Sequence, residues 1–429
     1  MAVLGCGNVG AALVDVLLRR GREIANRTGV QLELAGVAVA DPQKPRPVDI
    51  AADLITSDAS SLVGRSDVDV VVEVIGGLTP AQGLVEQALR AKRPVVTANK
   101  ALLAVHGGEL ADIASANGVD LLYEAAVAGG IPLIRLLRES LAGERIVRVI
   151  GIVNGTTNFI LTRMVEDATS YEDALAEAQR LGFAERDPTA DVEGEDAAAK
   201  AAILAGLAFG ADVAMDDVYR EGITGLDKVD IETARQLGYV VKLLAVVELE
   251  PDGAVSARVH PAMIPATHPL ASVRDAFNAV FVEGESSGEL MLYGRGAGGD
   301  PTASAVLGDL IDAARNLQRG TAAPSPRIVP VAVRPIEELR CPYYLSLEAF
   351  DRPGVLAAVA AVFGAHGVSI RSMEQVGLGD EARLMFLTHE AREGDVRATL
   401  AELERLDEVD RVGGMLRVMV SNPSPSGDA

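Results

Sequence analysis

Ala2–Gly10 reads A-V-L-G-C-G-N-V-G. A short apolar run enters Gly5, Gly7 and Gly10, spaced G-x-G-x-x-G, and the pattern from Ala11 to about Arg27 predicts a helix behind them. Leu32–Val39 predicts the next strand. Strand, glycine turn, helix, strand is the context that gives this spacing meaning. The first glycine allows the tight turn, the second lets backbone approach a pyrophosphate, and the third lets helix pack on strand. Asn8 and Val9 open the helix, whose free N–H groups would face the phosphates. The fold class expected is α/β, with a Rossmann-type dinucleotide-binding domain over residues 1–130.

Onward from this turn the chain keeps alternating. A-D-P-Q-K-P-R follows the second strand. Asp41 suits the ribose hydroxyls of NAD, whereas Lys44 and Arg46 suit the 2′-phosphate of NADP, so cofactor choice stays open. Asp67–Ile75 is a near-continuous apolar strand ending in Gly76-Gly77. A helix from Pro80 to Arg93 leads to the strand Pro94–Thr97, with Ala98, Asn99 and Lys100 at its C-terminal end, where open parallel sheets bind ligands. Val119–Ala125 predicts another strand, followed by the loop A-V-A-G-G-I-P.

Beyond residue 131 the pattern changes. Arg145–Val153 reads as a strand running into N-G-T-T-N, Asn154–Asn158, whose hydroxyls and helix-start amides suit a carboxylate or merely cap a helix. Two helices lead to Glu185–Lys200, E-R-D-P-T-A-D-V-E-G-E-D-A-A-A-K. Asp196 and Lys200 share a helix face there, and no other charge follows as far as Gly210. A lysine on such an apolar helix needs carboxylates, and this stretch supplies them. Strands Val240–Leu249, Val255–Pro261 and Glu289–Tyr293 predict a second sheet over 131–295. G-R-G-A-G-G-D-P-T-A, containing Gly296, opens a helix expected to return to the first domain as segment 296–320. The proline-rich stretch 321–341 reads as a linker. Residues 342–420 predict β-α-β-β-α-β, a separate ferredoxin-like unit, and 421–429 a disordered tail.

Composition narrows the function. The chain has 429 residues and a net charge of -22, which argues against nucleic acid and anionic membrane as partners. Two cysteines, Cys6 and Cys341, suggest no disulfide framework, and no targeting segment or membrane-spanning run is evident, so a cytoplasmic location is expected.

The glycine turn, T-A-N-K at Lys100, the Glu124–Ile131 loop, N-G-T-T-N, G-F-A-E-R-D-P-T-A-D-V-E-G-E-D-A-A-A-K and G-R-G-A-G together resemble homoserine dehydrogenases along essentially the whole chain. D-R-P-G-V-L and G-V-S-I-R-S-M resemble an ACT domain, a module that commonly binds amino acids. The resemblance implies interconversion of L-homoserine and L-aspartate 4-semialdehyde with NAD or NADP. It implies that Lys200 moves the hydroxyl proton, that Lys100 places substrate, and that Asp191 supports the lysine. Glu185 and Asp196 would bind substrate, with Asn154 and Thr156 beside them. Cofactor contacts are expected from Gly5, Gly7, Asn8, Val9, Gly10, Asp41, Lys44, Gly76, Thr97, Lys100 and Gly296. A monovalent cation, Na or K, is implied at Glu124, Val127, Gly129 and Ile131. Threonine as effector at the ACT domain and a homodimer or homotetramer are implied as well. On this reading the catalytic part works without the residues after Arg340. Relatives that use NADP often carry Arg where this chain has Ala40, which weakens the case for strong NADP preference. An acylating semialdehyde dehydrogenase would need a thiol nucleophile, and neither cysteine is placed for it. A short-chain dehydrogenase would need Tyr-x-x-x-Lys, and Tyr239 and Lys242 fall one residue short. A non-catalytic sensor of nucleotide and amino acid would leave both lysines unexplained.

Overall fold

The computed structural model describes residues 1–323, 328–377 and 379–420; the expected tail lies outside the described residues. Its first sheet is parallel throughout, in the order β3-β2-β1-β4-β5-β6. The strands are β1 (Ala2–Leu4), β2 (Gly36–Ala38), β3 (Ile55–Thr56), β4 (Val71–Glu73), β5 (Val95–Thr97) and β6 (Leu121–Leu122). Helices α1 (Asn8–Thr28), α2 (Ala59–Gly64), α3 (Ala81–Arg90) and α4 (Lys100–Asn117) connect them. This 3-2-1-4-5-6 order is that of dinucleotide-binding sheets.

The strands are shorter than the sequence suggested, because the apolar runs continue past the paired ladder. After Glu73 the chain turns through Gly76 and Gly77, both at positive φ. After Leu122 it enters a 3₁₀ turn, Glu124–Ala126, because the Glu124 carboxylate takes the amides of Ile134 and Arg135 at 2.8 Å each.

The middle of the chain supplies α5 (Gly155–Glu166), α6 (Tyr171–Leu181), α7 (Glu195–Phe209) and α8 (Lys228–Gln236). These pack on β7 (Ile146–Ile152), β8 (Tyr239–Leu249), β9 (Val255–Pro265), β10 (Phe277–Gly284) and β11 (Gly288–Arg295). Sequence reasoning passed over β10, which pairs antiparallel with both β7 and β11. Then α9 (Gly299–Arg319) crosses back, placing Val306 and Leu310 in one apolar cluster with Val3, Leu13 and Val14.

The stretch expected to be a linker is strapped down. Val329–Pro330 pairs with Ala211–Asp212, Val333 with Val255, and Arg340–Cys341 with Ala391–Arg392. Beyond it, β12 (Tyr343–Phe350), α10 (Val355–Ala365), β13 (Ile370–Gly377), β14 (Glu381–Thr388), α11 (Glu393–Leu403) and β15 (Val409–Val418) form a ferredoxin-like unit in the order β15-β12-β14-β13. That unit is not separate, which corrects the sequence reading. Ala262 and Met263 of β9 pair in parallel with Arg417 and Val418 of β15, so one sheet runs through both parts. Tyr344, Met385, Leu416 and Val418 are buried in the same core as Leu243, Val259 and Met263. The physical reason is the second face of the small sheet: Tyr344 and Leu416 need cover, and the catalytic part gives it. Catalysis surviving removal of everything after Arg340 is therefore no longer expected.

Candidate active site

Helix α7 is buried from Asp196 through Gly206 and starts at Gly194, which sits at φ +81°. Asp196 lies in its first turn, where the helix dipole favours a carboxylate. One turn on, the Lys200 ammonium donates to Asp196 Oδ2 at 2.7 Å and to the Val153 carbonyl at 2.5 Å. Lys100, the first residue of α4, pairs with the other oxygen of the same carboxylate. Two lysines, from helices α4 and α7 that pack on different sheets, thus meet on one buried carboxylate. Lys200 is 8% exposed, whereas the Lys100 side chain is 45% exposed. Burial pushes the Asp196 carboxyl up, but the ammonium groups of Lys200 and Lys100 outweigh it and hold the carboxyl well below the usual range. For Lys100, burial opposes the charge, yet Asp196, Asp191 and Glu185 raise its pKa on balance.

Asn154 ties the carboxylates together. Its Nδ2 donates to Asp191 Oδ1 at 2.6 Å and to Asp196 Oδ2 at 2.9 Å, while its Oδ1 caps α5 through Thr157 N–H. Thr156 Oγ1 is engaged with the Phe183 carbonyl at 2.7 Å and Asp191 Oδ2 at 3.0 Å. These contacts show what the expected residues hold within the protein. Asp191 is held by Asn154 and Thr156 and, among the described residues, is joined to Lys200 through Asn154 and Asp196. The Asn154 and Thr156 side chains are committed to protein partners, because a buried amide or hydroxyl must find them. The N-G-T-T-N stretch acts as a helix cap. Glu185 is exposed and contributes to the charge seen by Lys100.

The dinucleotide turn has the stereochemistry its spacing requires. A Cβ on Gly5, at φ +101°, would lie 2.6 Å from the Val74 carbonyl oxygen, and one on Gly10 would lie 2.2 Å from the Gly5 carbonyl oxygen. Gly7 faces open space, and among the described residues no side chain caps α1 behind Asn8 and Val9, which leaves its first amides for an anion. Asp41 is exposed and accepts Gln43 N–H at 2.9 Å. Arg46 folds back onto the carbonyls of Asp41 and Lys44 at 2.5 and 2.8 Å. Across the sheet, Glu73 is fully buried at the end of β4. It accepts the Thr97 hydroxyl at 2.6 Å and the amides of Ile75 and Gly76 at 2.8 and 3.2 Å. Thr97 in turn accepts Asn99 N–H, and Asn99 reaches the Gly77 carbonyl and caps α4. Glu73 therefore clamps the Gly76 turn to the turn that carries Lys100. Sequence reasoning missed it, although a lone carboxylate inside V-V-V-E-V-I was the signal.

The loop proposed for a cation lies against the second glycine loop. A Cβ on Gly129 would fall 2.2 Å from the Gly296 carbonyl oxygen, and one on Gly296 would meet the Asn278 amide at 2.0 Å. Gly296 thus serves close packing between these loops. Ala128 and Gly129 both take positive φ, turning the chain at Val127–Gly129. Burial raises the Glu124 carboxyl, against the pull of the Arg135 and Ile134 amides. Each of its oxygens keeps a free lone pair, and the Ile131 carbonyl already accepts Leu133 N–H at 2.8 Å. A buried carboxylate with adjacent loop carbonyls fits a hard monovalent cation. Among the described residues no cluster of three or more His, Cys, Asp or Glu side chains is placed to hold a metal ion. Asp309 of α9, unseen in the sequence reading, accepts Glu124 N–H at 2.8 Å, and burial pushes its carboxyl up to about 7.

Residues 132–311 match the family model for homoserine dehydrogenase, residues 5–124 that for the homoserine dehydrogenase NAD-binding domain, and residues 343–408 that for the ACT domain. A homoserine dehydrogenase of Corynebacterium glutamicum is 50% identical over 97% of this chain and 95% of its own length. The crystal structure of a homoserine dehydrogenase from Thiobacillus denitrificans superposes with a TM-score of 0.91 at 40% identity, covering 97% of both chains. A hyperthermophilic archaeal homoserine dehydrogenase in complex with NADPH matches with a TM-score of 0.62 at 29% identity, covering 73% of this chain and 97% of its own.

Proposed function

The chain belongs to the homoserine dehydrogenase family, and from that premise we propose how its residues divide the work. The enzyme is an NAD(P)-dependent oxidoreductase acting on the CH–OH group of L-homoserine to give L-aspartate 4-semialdehyde, or the reverse, in amino-acid biosynthesis. The nicotinamide, when bound, takes the hydride from the carbinol carbon. The hydroxyl proton needs a base within hydrogen-bond reach. Lys200 is that base in the oxidative direction and the acid in the reverse one. Asp196 aims it, together with the Val153 carbonyl. Lys100, more exposed and at the end of β5, holds substrate beside the cofactor, and Glu185 meets the substrate ammonium. Asp191, Asn154 and Thr156 keep Asp196 in place. The observation that carries this division is the single Asp196 carboxylate shared by lysines from helices α4 and α7.

Cofactor pyrophosphate is held by the amides behind Gly7, with Asp41 and Lys44 at the ribose. A monovalent cation at Glu124, Val127, Gly129 and Ile131 would stiffen the loop against Gly296. The ACT unit takes threonine as effector, in keeping with its D-R-P-G turn. Self-association as a dimer or tetramer is supported by β13, an edge strand whose residues Arg371–Gly377 are all exposed. Two free cysteines agree with a reducing cytoplasm.

The test is a pair of variants assayed by nicotinamide absorbance. Lys200→Met is expected to lower kcat by about 10²–10⁴, the usual worth of a positioned acid–base group. Lys100→Met is expected to act more on substrate KM. Near-normal kcat in Lys200→Met, with Lys100→Met inactive, reverses the roles.

A further inference from the structure

One buried ion cluster joins the C-terminal unit to the catalytic part. Arg417 of β15 is 2% exposed and Glu393, at the start of α11, is fully buried. Arg417 binds both oxygens of Glu393 at 2.7 and 2.6 Å. Its remaining nitrogen reaches out of the unit to Glu221 Oε2 at 2.8 Å, and Nη2 also reaches the Tyr219 hydroxyl at 3.2 Å. Arg397 of α11 donates to that same hydroxyl at 2.8 Å.

Tyr219 and Glu221 begin a short strap, residues 219–224, which runs on to the opening of α7. Tyr219–Arg220 pairs in parallel with Arg258–Val259 of β9, and Glu221 N–H donates to the Val259 carbonyl at 2.8 Å. Ile223 N–H donates to the Val192 carbonyl at 2.8 Å, and Thr224 Oγ1 to Glu193 Oε1 at 2.8 Å. Between them Gly222 passes so close that a Cβ would lie 2.3 Å from the Val192 carbonyl oxygen and 2.7 Å from Glu193 Cα. Arg220 pairs with Glu195 at 3.4 Å. Val192, Glu193 and Glu195 flank Gly194, the residue from which α7 starts, and Asp196 follows directly. An unbroken series of contacts therefore leads from Arg417 to the carboxylate that both lysines share.

Buried ion pairs add little net stability over well-packed apolar residues, because desolvation offsets their attraction. What they do supply is a fixed geometry between the parts they join. We propose that Arg417 and Glu221 are positioning residues for the reaction, holding the strap that sets Asp196 and Lys200. The C-terminal unit is then part of what aligns the catalytic centre, and any ligand that shifts β15 against β9 acts on Asp196 through Glu221. The proposal rests on Asp196 and Lys200 forming that centre, and Lys200→Met, measured alongside, reports on that reading by itself.

Arg417→Met would leave the buried Glu393 with only Arg397 and the Tyr343 hydroxyl among the described residues and risks unfolding, so the test uses the strap. Glu221→Gln removes the charge facing Arg417, and Thr224→Val removes the bond to Glu193. Each is expected to lower kcat roughly 5–20-fold, part of the ~100-fold that a 1 Å misplacement costs. Cofactor KM should stay within about twofold, since the glycine turn touches neither residue. The double variant should be no worse than the more damaged single, because both break one series of contacts. Arg383→Gln, which breaks the Arg383–Glu348 pair elsewhere in the C-terminal unit, should leave kcat at the parental level. Parental kcat in Glu221→Gln and Thr224→Val overturns the proposal. So does a loss confined to cofactor KM, a multiplicative double variant, or an equal loss in Arg383→Gln.

Discussion

Replacing Asp196 with Asn removes the charge that both lysines touch while keeping the shape of the side chain. The folded carboxyl lies below its ordinary range because two ammonium groups outweigh its burial. A depressed carboxyl contributes stability that is present above its unfolded value and is lost as pH falls through the folded one. Lys100 is raised, so its share is present below the ordinary lysine value and is lost as pH rises through the folded one. The stability gap between parent and variant should therefore be flat through neutrality and shrink toward strong acid and strong base. Its size follows from who is orphaned. Lys100 turns to water at little cost, since nearly half of its side chain is exposed. Lys200 stays buried without a counter-ion, and breaking a buried pair costs ~3–5 kcal/mol. The Asn oxygen still accepts from the ammonium, which places the expected loss near the lower end, ~3 kcal/mol. Urea titrations of the cofactor-free protein across a pH series measure it. A neutral-pH stability within ~1 kcal/mol of the parent, or a gap that widens toward acid, would mean that Asp196 does not hold the two ammonium groups in this way.

Gly7→Val sets a branched side chain in the open space before α1 and should abolish cofactor binding while the fold survives; unchanged affinity by fluorescence titration would put the site elsewhere. Asp41 favours NAD and Lys44 with Arg46 favours NADP, so kcat/KM for the two cofactors should differ by less than a hundredfold, about 2.7 kcal/mol; a larger ratio means that one group dominates. Threonine should change the rate of the full chain at subsaturating substrate; no effect on rate, and no heat of binding, would leave the ACT unit without that ligand.

What the sequence made legible was whatever rests on local geometry. Gly5, Gly7 and Gly10 are needed within six residues of one another, so their spacing reveals the turn. Asp196 and Lys200 are one helical turn apart, so their pairing shows as well. The contacts that were not legible join distant segments. Glu73 meets Thr97 across two parallel strands, and nothing in either run alone names the other. The resemblance, not the spacing, named Asp191 as support for the lysine, and its bond to Asn154, from another element, had no mark in the sequence. Strand β10 was overlooked because its F-N-A-V-F-V-E-G carries apolar residues on both faces and lacks clean alternation. The join between β9 and β15 had no local mark at all.

That join bears on how the protein comes to be folded. Strand β9 is complete roughly 150 residues before β15 is made, an interval of ~8–30 s at synthesis rates of ~5–20 residues per second. Until then the edge of β9 beyond its pairing with Tyr219–Arg220 is open, with Ala262 and Met263 beside backbone that only β15 pairs. Open apolar edges recruit other chains. The nascent enzyme is therefore at its most aggregation-prone late in synthesis. Conditions that slow translation between residues 265 and 409 should lower the soluble yield more than the same delay earlier in the chain.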